Sequence, residues 1–436
     1  GSTPVRIQKS TQARQAARED ATAAGDPNNN GAPNAGAIYI FTRSGSTWTF
    51  LQRLKAPNAG DNDNFGQSVA IAGNFLAAGA PYEDNDTSSL GTDDELGFDN
   101  GAVYVYSLLG GTWSFHTYLK ASTTNAGDNL GYSLALSEAT LVVGAPVDFG
   151  KGRCAVFFFD GTLWAEQAIL AGSNSTFNDS FGTSVALSGN IAVVGAPYED
   201  TDTAGVINGV SDDIGAAYVF TRTGGTWAEQ AILKAPNAGI GDYFGESVAV
   251  SGNRVLVGAQ MEDSAPDGTE NPSFTNSGAA YLYSRIGNVW SHRRLLKGSN
   301  SALSTRFGFA VAMAGDTSIV GAVGEDSSAG AAYTFLDTGD APTLTIAGRK
   351  TLRVNKSKSS HTVRGTADDV DGNLSLIEVK DARPKGVKQF RRAAGTTKWS
   401  YRVPLRTGRN LILARATDAT DFRSAISRLT VIRRSR

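Results

Sequence analysis

One phrase of about twenty residues is written into this chain again and again. Residues 180–200 read SFGTSVALSGNIAVVGAPYED, and close copies stand at 64–84, 243–263 and 306–326, with a looser one at 130–148. Each copy holds two short runs of alternating apolar residues. In residues 180–200 these are Ser184 to Leu187 and Ile191 to Val194, parted by the turn Ser188-Gly189-Asn190. Such a pattern predicts a β-hairpin. Five copies make the chain a repeat protein, in which each unit buries a face against its neighbours.

The remainder of the unit repeats too. Strand-like runs GAIYIF (36–41), GAVYVY (101–106), CAVFFF (154–159), GAAYVF (215–220) and GAAYLY (278–283) are each followed by a Trp-led run opening at Trp48, Trp113, Trp164, Trp227 or Trp290. A full unit is therefore a hairpin, an acidic loop, a strand, a Gly turn and a Trp-led strand ending in a phrase such as Leu233-Lys234-Ala235-Pro236. The glycine after each Phe or Leu falls at 66, 131, 182, 245 and 308, and the variable spacing is taken up by the loop between the second and third strands. Four short antiparallel strands per unit, with glycines and aromatics at fixed places, predict the blades of a β-propeller.

Composition supports an ordered all-β chain. There are 50 Gly and only 13 Pro among 436 residues, so turns are made by glycine. The single Cys154 excludes an internal disulfide framework and reads as a small buried strand residue. No apolar run approaches the roughly 20 residues of a membrane span. The sequence opens at Gly1 without an initiator Met or signal peptide, so any targeting segment has been removed or lies outside it. The net charge of −2 hides an asymmetry: residues 341–436 hold 22 Lys and Arg against 7 Asp and Glu, and the acidic excess lies upstream. Two halves of opposite sign predict different partners.

The pairs Phe65-Gly66 with Gly79-Ala80-Pro81, and Phe181-Gly182 with Gly195-Ala196-Pro197, resemble the FG-GAP repeat, the blade unit of the integrin α-subunit propeller; the GAaYvF strand and Gly-Thr-Trp turn are closest to its bacterial extracellular branch. The resemblance covers about residues 20–336. It implies a β-propeller, commonly seven-bladed, with a binding or adhesion role outside the cell or at its surface. About five blades are visible here if the strands at 36–54 join Phe307 to Leu336 in one blade, and more if the sequence is truncated. Residues 1–34 read as an irregular segment or degenerate repeat, with Arg18-Glu19-Asp20 echoing the later acidic loops; the propeller is assigned to 35–338.

After Asp340 the pattern changes. Eight short alternating runs between Leu344 and Ile432, spaced by turn signals, predict a β-sandwich over 341–436. The phrases around Asp368-Asp369-Val370-Asp371-Gly372 and Ala416-Thr417-Asp418 resemble bacterial Ig-like and fibronectin-like surface modules.

Three sets of residues could carry chemistry. Asp84 and Asp86 with Asp93 and Asp94, Asp200 and Asp202 with Asp212 and Asp213, and Glu262 with Asp263 lie in the loops after the hairpins. Asp-x-Asp in an extended segment sets two carboxylates on one side, as a hard cation such as Ca²⁺ requires; the alternative is a solvated acidic loop. The integrin-type Asp-x-Asp-x-Asp-Gly loop sits inside the hairpin, where this chain has only Gly-Asn or Gly-Asp, so that Ca²⁺ site does not carry over. The run Arg383, Lys385, Lys388, Arg391 and Arg392 suits either a charged edge strand or contact with an anionic surface polymer. Phe65, Phe181, Phe244, Phe307 and the Trp residues read as blade-packing groups, and a Trp left exposed would suit stacking on a sugar. Catalytic motifs are absent from the sequence, and a residue repeated in every copy is structural before it is catalytic.

These observations predict a non-enzymatic adhesion or ligand-binding protein that presents protein- or glycan-binding loops from a propeller. The alternative is the binding part of a secreted polysaccharide- or phosphoester-acting enzyme. Nucleic acid is not an expected partner.

Overall fold

In the computed structural model, residues 5–6, 32–84, 98–201, 212–265, 269 and 272–336 are described, together with the strands of the C-terminal region and residues 405 and 407. The chain divides into two units, Gly1–Tyr283 with Trp290–Phe335, and Ser284–Val289 with Leu336–Arg436.

The first unit is built from six antiparallel sheets. An N-terminal sheet holds β1 (Val5–Arg6), β2 (Ile38–Ser44) and β3 (Thr47–Leu54). Four complete blades follow. The first is β4 (Ser68–Ala72), β5 (Phe75–Ala80), β6 (Ala102–Leu109) and β7 (Thr112–Leu119), and the second β8 (Ser133–Ser137), β9 (Thr140–Ala145), β10 (Arg153–Phe159) and β11 (Trp164–Leu170). The third is β12 (Ser184–Ser188), β13 (Ile191–Ala196), β14 (Ala216–Thr223) and β15 (Thr226–Leu233), and the fourth β16 (Ser247–Ser251), β17 (Arg254–Ala259), β18 (Ala279–Ile286) and β19 (Val289–Leu296). A last sheet has only β20 (Phe307–Ala314), β21 (Thr317–Ala322) and β22 (Ala331–Leu336).

The predicted hairpin is present in register, Ser184 opposite Gly195 and Ser188 opposite Ile191, with Gly189 at φ 57° in its turn. The two ends do not merge into one blade, which corrects the expected joining. β2 pairs with β1, Val5 opposite Thr42, so the N-terminal strands have their own sheet, and β22 ends the last one. In the three blades whose register is given, and in the N-terminal sheet, the third and fourth strands slip at the same place, after Ile40, Val105, Val156 and Val219. Such a bulge adds local twist to the outer edge.

The core lies between sheets and not within them. Val193, Ala217 and Val219 of the third blade pack with Phe244, Val257 and Tyr281 of the fourth, and equivalent clusters fill the other junctions. Innermost strands touch in series, β4 to β8, β8 to β12, β12 to β16 and β16 to β20.

The motif glycines explain how sheets come that close. A Cβ on Gly195 would meet the Gly245 carbonyl oxygen at 1.9 Å, and the same clash recurs for Gly79, Gly144 and Gly258 with the carbonyls of Gly131, Gly182 and Gly308. Each of those carbonyls accepts a hydrogen bond from a serine hydroxyl of the preceding blade, as Ser184 Oγ to Gly245 O at 2.7 Å. The glycine after Phe holds φ near 100° in each copy, a backbone closed to other residues. Both halves of the sequence motif thus meet across one interblade contact.

The second unit has two sheets that touch. One is β23 (Thr343–Ile346), β25 (Ser360–Asp368) and β28 (Lys398–Pro404); the other runs β24 (Thr351–Val354), β30 (Ser427–Arg433), β29 (Gly408–Asp418), β26 (Leu374–Asp381) and β27 (Arg391–Arg392). Seven of the eight predicted runs coincide with strands; the run at 387–390 lies outside the described residues.

Candidate functional site: the loop end of the blades

At one end of every blade the chain is stitched to its neighbour. The Phe or Leu that opens a blade donates its backbone N–H to the carbonyl two residues before the third strand of the preceding blade begins, as Leu130 to Asn100, Phe181 to Lys151, Phe244 to Ile214 and Phe307 to Ser277, and Phe65 donates likewise to Ala35, three residues before β2. Three residues earlier, Gly127 donates to Phe98, Gly241 to Asp212 and Ser304 to Thr275. The loop within one blade and the loop leading to the next therefore share a surface.

Beneath it lies a buried polar unit. In the first blade Glu83 is fully buried, accepts from Asn58 at 3.0 Å and from Tyr118 at 2.8 Å, and forms an ion pair with the Lys120 ammonium at 2.9 Å, while Tyr104 donates to Asn58. The third blade repeats this with Glu199, Asn174, Lys234 and Tyr218, and the fourth with Glu262, Asn237, Lys297 and Tyr281. Lys234 and Lys297 also donate to the Gly215 and Gly278 carbonyls at 3.0 Å. Burial lowers the Lys234 ammonium below its ordinary value, with Glu199 opposing the shift. Glu262, a metal candidate from the sequence, is thus committed to Lys297, Asn237 and Ser264.

The second blade replaces the whole unit. Asp148 stands for Glu, Thr123 for Asn, Ala155 for Tyr and Ala171 for Lys. Arg153 comes only to 3.9 Å of Asp148, and burial together with the Asp128 charge pushes the carboxyl up to about 6.

The acidic residue after each Glu closes its loop. Asp84 accepts the Asp99 N–H at 2.8 Å, Asp200 that of Asp213 at 3.0 Å, and Asp263 that of Asn276 at 2.7 Å, each donor at positive φ. Asp99 and Asp213 have raised pKa values, from burial first and then from Asp84, or from Asp200 and Asp212. Among the described residues no group of three or more His, Cys, Asp or Glu is placed to hold a metal. Asp86, Asp93, Asp94 and Asp202 lie outside the described residues.

Sequence reading missed an apolar feature of this surface. Phe177, Ile240 and Leu303 occupy the same position in three successive interblade loops, four residues before Phe181, Phe244 and Phe307, and are 69%, 75% and 61% exposed. Phe98 and Tyr198 add exposed aromatic area from the loops within blades. Aligning the repeats at Phe-Gly would have shown the position, which holds Asp61 and Ala126 in the other two copies. The motif Phe residues are buried as expected and meet Tyr104, Tyr218, Tyr281 and Tyr333 edge-on at 5.2–5.4 Å. Trp113, Trp164 and Trp227 are buried and Trp48 is exposed.

In the second unit Arg391 and Arg392 form the edge strand β27, opposite Val379 and Glu378. Arg383, Lys385 and Lys388 lie outside the described residues.

Sheets of this repeated form, packed in series through their inner strands, are propeller blades. Five segments, 48–106, 113–159, 164–220, 227–283 and 290–335, match the FG-GAP repeat and cover more than half of the chain, which therefore belongs to the FG-GAP repeat family. Each match begins at the Trp of a sheet's last strand and ends in the third strand of the next sheet, so the family unit spans the interblade contact described above. No curated protein matches the chain. Similar solved structures include a putative 6-phosphogluconolactonase from Bacteroides uniformis, at 10% identity and TM-score 0.39, covering 86% of this chain and 96% of that one. A fungal alcohol oxidase in complex with copper shows 11% identity, TM-score 0.34 and coverage of 91% and 83%. Fibronectin(III)-like modules of Clostridium thermocellum CbhA show 15% identity, TM-score 0.20 and coverage of 42% and 87%. At these scores the likenesses say nothing about what this chain binds.

Proposed function

We propose that this chain is a non-enzymatic adhesion or ligand-binding scaffold, acting outside the cell or at its surface, whose blades present their loop end to a protein or glycan. One observation carries the reading: Phe177, Ile240 and Leu303 recur at one position in three successive interblade loops and stay 61–75% exposed, beside the buried motif Phe four residues on. Recurrent exposed apolar groups beside polar loops suit contact with a partner, where aromatic and aliphatic anchors supply affinity and the polar rim supplies selection. Membership of a repeat family typical of extracellular proteins supports the location. Ca²⁺ is the proposed metal of the acidic loops, and an anionic surface polymer the proposed partner of the basic run in the second unit. The C-terminal sheets are proposed to form an Ig-like module.

The test is binding of the full chain to whole cells and to a glycan panel, with Ca²⁺ and with a chelator. The variant Phe177→Ser/Ile240→Ser/Leu303→Ser should lose at least tenfold in affinity with an unchanged melting temperature. Undiminished binding by that variant would overturn the assignment of this surface, and indifference to chelation would remove Ca²⁺ from it.

A further inference from the structure

Among the described residues the last sheet is a blade without its fourth strand, and it lacks two things that strand supplies elsewhere. The first is an edge. β14 is paired on both sides and its first five residues are buried, whereas β22 is the terminal strand of its sheet and its residues alternate between half-buried and exposed. Ala332 is exposed; its counterparts Val103, Cys154 and Ala217 face Leu119, Leu170 and Leu233 of a fourth strand. Beyond β22 the next described strand is β23, which pairs with β25 in the other unit.

The second is a cation. Glu325 occupies the position of Glu83, Glu199 and Glu262 and is 7% exposed. It accepts from Asn300 and Tyr333, so three members of the polar unit are assembled, and burial with the Glu325 interaction pushes the Tyr333 hydroxyl up to about 12. In the three blades with the full unit the fourth member is the lysine just beyond the fourth strand. Residues 298–336 provide Asn300, Glu325 and Tyr333 but contain no lysine.

We infer that the β22 edge and Glu325 form an acceptor site for one extended strand of another protein, of the pattern Trp-x5-Leu-Lys. The pattern is set by the complete blades. Trp113 and Leu119, Trp164 and Leu170, Trp227 and Leu233, and Trp290 and Leu296 are each six residues apart, and a lysine follows at 120, 234 and 297. An added strand gains main-chain hydrogen bonds along β22, while alternate side chains and the terminal ammonium fix its register. Two further copies stand in the chain, Trp48 to Leu54 with Lys55 and Trp399 to Leu405 with Arg406; the first is β3, already bonded to β2, and the second lies along β28, already bonded to β25, so the occupant is taken to be a strand of another molecule.

The probe is a fluorescent peptide of residues 226–237, TWAEQAILKAPN, titrated into the full chain by anisotropy, with hydrogen exchange read at residues 331–336. Saturable binding that slows exchange in β22 is expected, and Lys234→Gln in the peptide should weaken binding about tenfold. Against Glu325→Gln protein the two peptides should bind alike. Exchange in β22 that does not change, or equal affinity of the two peptides for the unaltered protein, would overturn the proposal. So would slow exchange in β22 without peptide together with a concentration-dependent dimer in sedimentation, because the edge would then belong to a second copy.

Discussion

The third blade and the last sheet are written in nearly the same words and end in different surroundings. SFGTSVALSGNIAVVGAP and RFGFAVAMAGDTSIVGAV share their glycines and their apolar alternation. In the third blade Gly195 lies against the Gly245 carbonyl and Ser184 bonds to it; in the last sheet a Cβ on Gly321 would have its nearest neighbour at 3.7 Å, and Ala310 stands where the serine was. Glu199 has its lysine, and among the described residues no lysine is paired with Glu325. The comparison teaches that the motif describes a junction and not a sheet. Its glycine and serine matter where another blade follows, and its glutamate is complete where a fourth strand is present.

The sharpest way to break this comparison is a single methyl group. Gly195→Ala drives a Cβ into backbone that cannot swing away and should cost about 4 kcal/mol or more, at the large end for one substitution. Gly321→Ala meets only ordinary contacts and should lie within about 0.5 kcal/mol of the parent. Urea denaturation of both variants decides the matter; equal losses would mean that the last sheet is as tightly joined as the third blade.

The buried ion pair gives the next largest effect. Lys234→Met leaves the Glu199 carboxylate at 1% side-chain exposure without its cation, and removing one partner of such a pair typically costs about 3–5 kcal/mol. The same unfolding measurement checks it, and a loss under about 1 kcal/mol would show that Asn174 and Thr201 suffice to hold the charge. The second blade indicates how the fold lives without the pair: acid, amide, phenol and amine are replaced together, as members of one unit would be.

Much of this was legible in advance. Hairpins, Trp-led strands and blade phase follow from period-two alternation and glycine turns, both local signals. Seven of the C-terminal runs were read for the same reason. The polar unit was not read, because Asn174, Glu199, Tyr218 and Lys234 are up to 60 residues apart and only folding brings them together. Glu262 looked like a loop ligand because its partner Lys297 lies beyond the next two strands. The two end sheets were misjoined for a similar reason: the strand that claims β2 is two residues long and carries no repeat signature.

The smallest expected effect sharpens the comparison through pH. Asp148 titrates near 6 in the folded chain against 3.8 for the free side chain, because burial and Asp128 disfavour its charge. The folded state therefore holds this proton more tightly than the unfolded state, and stability falls as pH rises between about 4 and 6, by up to about 2 kcal/mol. Asp148→Asn should remove that part of the slope and leave the chain about 1 kcal/mol or more stabler than the parent at pH 7.5, while Asp179, also near 6, and the raised Asp99, Asp213 and Glu246 carboxyls keep a slope of the same sign. In the third blade Lys234→Met should introduce a slope of the same sign, since Glu199 would then stand where Asp148 stands now. Denaturation midpoints at pH 4.5, 6 and 7.5 for the parent and both variants read this out. A slope untouched by Asp148→Asn would place the proton on another group and separate the second blade from the logic of the third.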